Sequence, residues 1–280
     1  MKLGYSTWGM PMTPIDVIIP HLAKLGFDGT ELTVLRNWST ELSTLDAAER
    51  RRIKDLAATH HLEIDSVYGH NRLLSVEPDA VAYDRERCRQ AADLCVDLAG
   101  DAGVPGLVIL PGGKPDDWEG QRAILAERLG ELAQYCAQRG VMVALEPHVS
   151  AMVDRVERVR WLFDQINSPA LSLNFDISHF EVQGVPMEQS IAAMAPYASR
   201  THVKDERGLA PNHEFLIPGE GEFDYVKYLR LMREIGYNAY ITVEVSVMVQ
   251  RRPGYDPLAA AALSYRTLDA AFREAGIARG

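Results

Sequence analysis

Four side chains able to bind a metal recur in the second half of the chain: Glu146, Asp176, His202 and Glu244. Each lies at the end of a short stretch that reads as a β-strand. Val141–His148 (VMVALEPH) is β-branched and apolar, opened by Gly140 and broken by Pro147, as a strand with a proline at its edge would be. Alternate side chains of a strand share a face, so Met142, Ala144, Glu146 and His148 point away from Val141, Val143 and Leu145. In Leu171–Asp176, Ser172, Asn174 and Asp176 oppose Leu171, Leu173 and Phe175. In Ser199–Lys204, Arg200, His202 and Lys204 oppose Thr201 and Val203. In Tyr240–Ser246, Tyr240, Thr242, Glu244 and Ser246 oppose Ile241, Val243 and Val245. One glutamate near one strand end is as readily a solvated rim residue. The same placement on successive strands predicts convergence on one point. Three carboxylates and an imidazole make an oxygen-rich, hard donor set, suited to Mn²⁺ or Mg²⁺ (Co²⁺ would also bind) more than to a thiolate-type zinc site.

The elements that must position these groups alternate strictly. Strands are expected at Lys2–Trp8, Gly29–Val34, Leu62–Gly69 and Gly106–Leu110, then at the four stretches above. Helical patterns separate them: Pro14 to Leu25, Asp46 to His60, Asp79 to Ala102, Trp118–Arg139, Val153–Ile166, Pro186–Ala195 and Phe223–Ile235, with Leu258–Ala275 closing the chain. A long polar loop is expected from Glu206 to Glu220. Strand–helix alternation implies a parallel sheet, and eight such units fit a closed (β/α)8 TIM barrel, whose active sites lie at the C-terminal strand ends. An open doubly wound sheet would carry a glycine-rich phosphate turn after its first strand; Tyr5-Ser6-Thr7-Trp8-Gly9 is not one. No linker or low-complexity run interrupts the chain, so residues 1–280 are expected to form one α/β domain.

Composition narrows the class. With 280 residues and 47% hydrophobic content, a large core is readily built. The formal charge of −10 disfavours nucleic acid and anionic membrane as partners. No apolar run of about 18 residues or more would span a bilayer, and MKLGYSTWG lacks a signal-peptide core. Cys88, Cys95 and Cys136, odd in number and without CxxC spacing, read as reduced structural thiols in a cytoplasmic protein.

The segments ALEPH (144–148), NFDISH (174–179), HVKD (202–205), PGEGEFD (218–224) and VEVS (243–246) together resemble the xylose-isomerase-like barrels of the sugar phosphate isomerase/epimerase superfamily along the whole chain. The resemblance implies that Glu146, Asp176, His202 and Glu244 ligate one divalent cation, Mn²⁺ foremost, and that His179, in the Asp-x-x-His motif, contacts substrate. It implies a small-molecule sugar substrate and a homo-oligomer. A second likeness, in Glu146-Pro147-His148 and SVMVQRRPGYDP (246–257), is to the catalytic subunits of C-glycoside deglycosidases. It implies a lyase acting on 3-keto glycosides with His148 as base, and a small accessory subunit.

The chemistry expected of such a site is proton abstraction α to a carbonyl that a divalent ion polarises. Glu146, Glu244 and His148 are the candidate bases. His148 lies about 6–7 Å beyond Glu146 along the same strand face. Lys204 is a candidate anchor for a substrate oxygen, or a partner of Asp205 or Glu206. Glu31 and His70, ending the second and third strands, are candidate pocket residues. Arg207 is a further substrate candidate, although a salt bridge is its commoner use. Trp8 and Tyr5 are expected to pack the barrel wall or floor. Glu220, Glu222 and Asp224 precede a helix start, where a phosphate would need uncompensated amides, which favours an unphosphorylated keto-sugar or keto-polyol. Arg251 and Arg252 follow the last strand and suit an aglycone, a partner subunit or solvent. Isomerisation or epimerisation is the leading expectation. The lyase is the alternative, and a non-catalytic sugar-binding barrel a third.

Overall fold

The computed structural model describes residues 1–69 and 72–280. In chain order its elements are β1 (Lys2–Ser6), α1 (Ile15–Leu25), β2 (Gly29–Thr33), α2 (Ala47–Thr59), β3 (Glu63–Tyr68), α3 (Pro78–Asp97), β4 (Gly106–Ile109), α4 (Trp118–Ala137), β5 (Val143–Leu145) and α5 (Val156–Ile166). There follow β6 (Leu171–Asp176), α6 (Ser178–Glu181), α7 (Met187–Met194), β7 (Ala198–Val203), β8 (Asp205–Arg207), β9 (Glu214–Leu216), α8 (Tyr225–Glu234), β10 (Tyr240–Val243), α9 (Val247–Gln250) and α10 (Pro257–Glu274). The expected barrel is present: β1, β10, β7, β6, β5, β4, β3 and β2 close a ring in that order, and each neighbouring pair is parallel.

The surrounding helices follow from sequence patterning. In α1 the buried residues Ile15, Ile18, Ile19 and Leu22 recur at helical spacing, giving one apolar stripe against the barrel. Asp46 starts α2 by accepting from Glu49 N at 2.8 Å, and Asp256 starts α10 by accepting from Leu258 N at 2.9 Å. Each satisfies a first-turn N–H that the helix itself leaves open. No described helix is long and apolar enough to cross a membrane.

Several boundaries differ from expectation. β5 is shorter because Val141 N turns back to Cys136 O of α4 at 3.0 Å, while Pro147 has no N–H to extend the ladder. The third helix ends at Asp97 rather than Ala102: Gly100 and Gly103 bond each other's carbonyls at 3.1 and 3.0 Å, with Gly103 at φ +103°, a turn that favours glycine. The loop expected after β7 holds the antiparallel hairpin β8–β9, with Asp205 opposite Leu216 and Arg207 opposite Glu214.

The N-terminal end of the barrel is plugged by long side chains. Arg200 Nε and Nη2 reach across from β7 to Asp65 O at 3.1 and 2.9 Å. The Tyr240 hydroxyl donates to Glu63, which also pairs with Lys2 at 2.7 Å. A Cβ at Gly29 would stand 2.6 Å from the Tyr240 ring, so glycine is what lets that ring cross the start of β2.

Candidate functional site

Glu146 and Glu244 each sit one residue past their strand, yet still bond to the neighbouring strand. Glu146 N donates to Ile109 O at 2.9 Å and Glu244 N to Val203 O at 3.0 Å. Both side chains therefore keep the strand alternation and enter the barrel mouth, as do Asp176 at the end of β6 and His202 within β7. All four are buried, Glu244 being the most exposed at 5%. Among the described residues, donor atoms of Glu146, His202 and Glu244 lie within 4.8 Å of one another, as do those of Glu146, Asp176 and His179. Sharing Glu146, the two groups gather three carboxylates and two imidazoles at one place, a donor set that fits a hard divalent cation.

The carboxylates are already oriented. Glu146 Oε1 accepts from Asn174 Nδ2 at 3.0 Å and lies 2.8 Å from His202 Nδ1. Its Oε2 accepts from the Tyr68 hydroxyl at 2.9 Å. Asp176 Oδ1 takes Ser178 N at 3.1 Å and Ser178 Oγ at 2.6 Å. His202 Nε2 lies 3.0 Å from Glu31 Oε1.

Lys204 does not pair with Asp205 or Glu206. Its ammonium stands between two candidate metal ligands, 2.6 Å from Asp176 Oδ2 and in contact with Glu244 Oε2. Strand alternation explains this: Lys204 shares the interior face with His202, which directs it across the mouth. The ring of Phe215, on β9, covers it with its centroid 5.1 Å from Nζ.

Charge in this enclosure is set by mutual pairing. Burial disfavours the charged forms, but Glu31 and Glu146 outweigh burial and raise His202 well above its usual value. Burial likewise opposes the Glu146 anion, yet the facing His202 and then Lys204 bring that carboxyl down to about 2. Lys204 is held charged against burial by Asp176, Glu244 and Glu146. His179 behaves oppositely: burial first, then the neighbouring His148 and Lys204, press its pKa well below the ordinary histidine value.

His179 is buried on α6, and neither ring nitrogen finds a hydrogen-bond partner among the described residues. Asp176 Oδ2 lies 3.4 Å from its Nε2. A neutral imidazole with uncommitted nitrogens beside the donor cluster is suited to a substrate hydroxyl. Half-buried His148 stacks against it, ring centroids 3.9 Å apart, and its Nδ1 accepts from Ser150 N at 3.1 Å. Arg207 is exposed on the hairpin, where it donates to Glu220 O at 3.1 Å. Arg252 pairs with Glu220 at 2.6 Å, and Arg251 is exposed. His70 lies outside the described residues. Tyr5 is fully buried, while Trp8, in the turn after β1, stacks on Trp38 with centroids 5.0 Å apart and meets Tyr68 edge-on at 5.3 Å.

Sequence reasoning missed three residues. Asn174 and Tyr68 both hold Glu146; each lies on the interior face of its strand, so alternation carried the signal. Asp205 is the third. Its carboxylate accepts from Glu206 N at 3.1 Å, Gly219 N at 2.8 Å and Phe223 N at 3.0 Å, folding PGEGEFD back on the strand that bears His202. A Cβ at Gly221 would collide with Asp205 Oδ1. Asp224 in turn caps α8 by accepting from Lys227 N at 2.9 Å.

The model of the xylose isomerase-like TIM barrel family matches residues 19–268. The chain is 27% identical over 265 residues to fructoselysine 3-epimerase of Shigella flexneri, covering 90% of this chain and 93% of that one. It is 25% identical over 237 residues to L-ribulose 3-epimerase of Methylomonas sp. (strain DH-1), covering 81% and 76%. Among solved structures, D-psicose 3-epimerase in the presence of D-fructose superposes with a TM-score of 0.79 at 15% identity, covering 99% of this chain and all of that one. The family model spans most of the chain and the closed strand order agrees with it: the chain belongs to the xylose isomerase-like TIM barrel family.

Proposed function

We propose that this protein is a divalent-metal-dependent sugar epimerase or isomerase that moves the proton α to the carbonyl of an unphosphorylated keto-sugar or keto-polyol. The observation that carries the reading is the pair of buried glutamates flanking His202, Glu146 Oε1 at 2.8 Å and Glu244 Oε1 at 4.0 Å from its Nδ1. Relatives named fructoselysine 3-epimerase and L-ribulose 3-epimerase support it.

Glu146, Asp176, His202 and Glu244 would hold the cation, Mn²⁺ before Mg²⁺ or Co²⁺ on donor hardness. When bound, it supplies Lewis-acid polarisation of a carbonyl and its neighbouring hydroxyl. The two glutamates stand on separate strands with β6 and β7 between them, so one can take the α-proton from one face of the sugar while the other returns a proton to the opposite face. Tyr68 and Asn174 fix the Glu146 carboxylate for that transfer. Lys204 and His179 would bind substrate oxygens, and burial beneath Phe215 excludes water. Asp224 accepts from the Lys227 amide of α8, and Glu220 Oε2 accepts from Ile217 N at 3.2 Å, which argues against a phosphate at this turn. The test is solvent-deuterium exchange into ketopentoses, ketohexoses and inososes, followed by NMR. Exchange α to the carbonyl with Mn²⁺ present, lost with chelator and in Glu146→Gln and Glu244→Gln, is the expected result. Absence of exchange from every ketose and inosose tried would contradict it.

A lyase reading, with His148 as base on a 3-keto glycoside, draws on the His148–His179 ring contact, which sets His148 beside a candidate substrate residue. Aglycone release that is lost in His148→Ala would favour it. Unchanged sugar binding and no turnover in either assay would favour a binding barrel.

A further inference from the structure

We propose that Glu31 is a positioning residue for the cation site: it fixes the ring of His202 so that Nδ1, and not Nε2, is presented to the metal. This rests on the cation reading above and gives a residue of β2 a part in it.

Glu31 is the middle residue of β2, separated round the ring by β1 and β10 from β7, which bears His202. It is 1% exposed, and both of its oxygens are committed. Oε1 accepts from Ser6 Oγ at 2.6 Å and faces His202 Nε2 at 3.0 Å. Oε2 accepts from Ser66 Oγ at 3.0 Å. With β1, β2 and β3 all contributing, the carboxylate is held from two sides. A carboxylate only accepts, so the atom facing it on His202 must carry hydrogen. Nδ1 faces Glu146 Oε1 and the Asn174 amide, at 2.8 and 2.9 Å, where a cation seated beside Glu146 would take the place of any proton Nδ1 carries. That is the side on which Glu146 and Glu244 gather. A ligating histidine that gives its other ring N–H to a carboxylate has its tautomer and orientation fixed and its ligand nitrogen made more basic. Serine hydroxyls on both Glu31 oxygens do the same for the carboxylate one step further out.

The test is Mn²⁺ affinity measured by competition with a fluorescent chelator, without substrate, on the wild type, Glu31→Ala, Glu31→Gln, His202→Ala and the double variant Glu31→Ala/His202→Ala. Glu31→Ala is expected to weaken Mn²⁺ by about 10- to 100-fold. Glu31→Gln, which keeps an acceptor of the same shape but no charge, should lose less, and it serves as the probe should the alanine variant fail to fold. In the His202→Ala background, removing Glu31 should cost nothing further. The visible spectrum of bound Co²⁺ should change in Glu31→Ala and remain nearer wild type in Glu31→Gln. An equal loss with and without His202, or unchanged affinity in both Glu31 variants, would overturn the proposal while leaving the metal reading intact. No Mn²⁺ binding by the wild type would overturn both together.

Discussion

The two ends of the barrel bury charge in different ways. At the floor, Lys2 and Arg200 sit beside Glu63 and Asp65, one cation for each acid, and the groups span the ring and fill it. At the mouth, Glu31, Glu146, Asp176 and Glu244 face one lysine, Lys204, and the imidazoles of His202 and His179. Burying carboxylates in excess of cations is costly, so stability does not account for the acid-rich mouth. The difference separates a structural plug from the site proposed to receive a cation.

The largest expected effect is on turnover. Glu146→Gln should lower kcat/KM by about 10²–10⁴-fold, the range for loss of a general acid–base group, with the fold retained by circular dichroism. A glutamine enzyme of wild-type activity would reduce the mouth to a second plug.

Next is Lys204→Met, which leaves Asp176 and Glu244 buried without their ammonium. Unfolding in chelator should show a loss of about 3–5 kcal/mol, the usual result of breaking one side of a buried ion pair. Adding Mn²⁺ should restore more stability to this variant than to the wild type, because the cation then meets no competing lysine. Equal responses to Mn²⁺ would mean that Lys204 and the cation use different places.

The floor offers a pH test with the opposite dependence. Burial raises the Asp65 carboxyl to about 7 despite the nearby Arg200, and neither carboxylate oxygen has a hydrogen-bond partner among the described residues. The folded state therefore holds this proton more tightly than the unfolded chain, where an aspartate titrates near 4. Stability from this group is full below about pH 4 and is lost as pH rises toward 7. Asp65→Asn should be neutral at pH 4 and stabilising at pH 8 by about 1–3 kcal/mol, the scale of an unsatisfied buried polar group, as read from urea midpoints. At the half-exposed rim of the floor, Lys2→Ala should cost no more than about 1 kcal/mol, as surface pairs do. A loss as large as that of Lys204→Met would erase the contrast between the ends.

The barrel and its four candidate ligands are legible in the sequence because both rest on local periodicity. Two-residue alternation in LSLNFD or YITVEVS tells which side chains face inward, and strict strand–helix alternation tells what inward means. The partners are not legible. His202 meets Glu31 from 171 residues away, and nothing in either segment states that closure of the ring brings β2 within reach of β7. Lys204 could be assigned to the interior but not to Asp176 and Glu244, since that choice depends on closure of the barrel. Asp205 read as a candidate partner of Lys204, whereas PGEGEFD folds over it and leaves room only for glycine at Gly221. The β8–β9 hairpin escaped notice because its strands are short and its sequence polar.

The central claim is that the mouth holds one divalent cation through Glu146, Asp176, His202 and Glu244. Equilibrium dialysis of the metal-free protein against Mn²⁺ tests it most directly. One ion per chain in the wild type, with binding abolished in Asp176→Asn/Glu244→Gln, is the predicted result. No bound ion in the wild type, or an ion retained at unchanged affinity in the double variant, would contradict it.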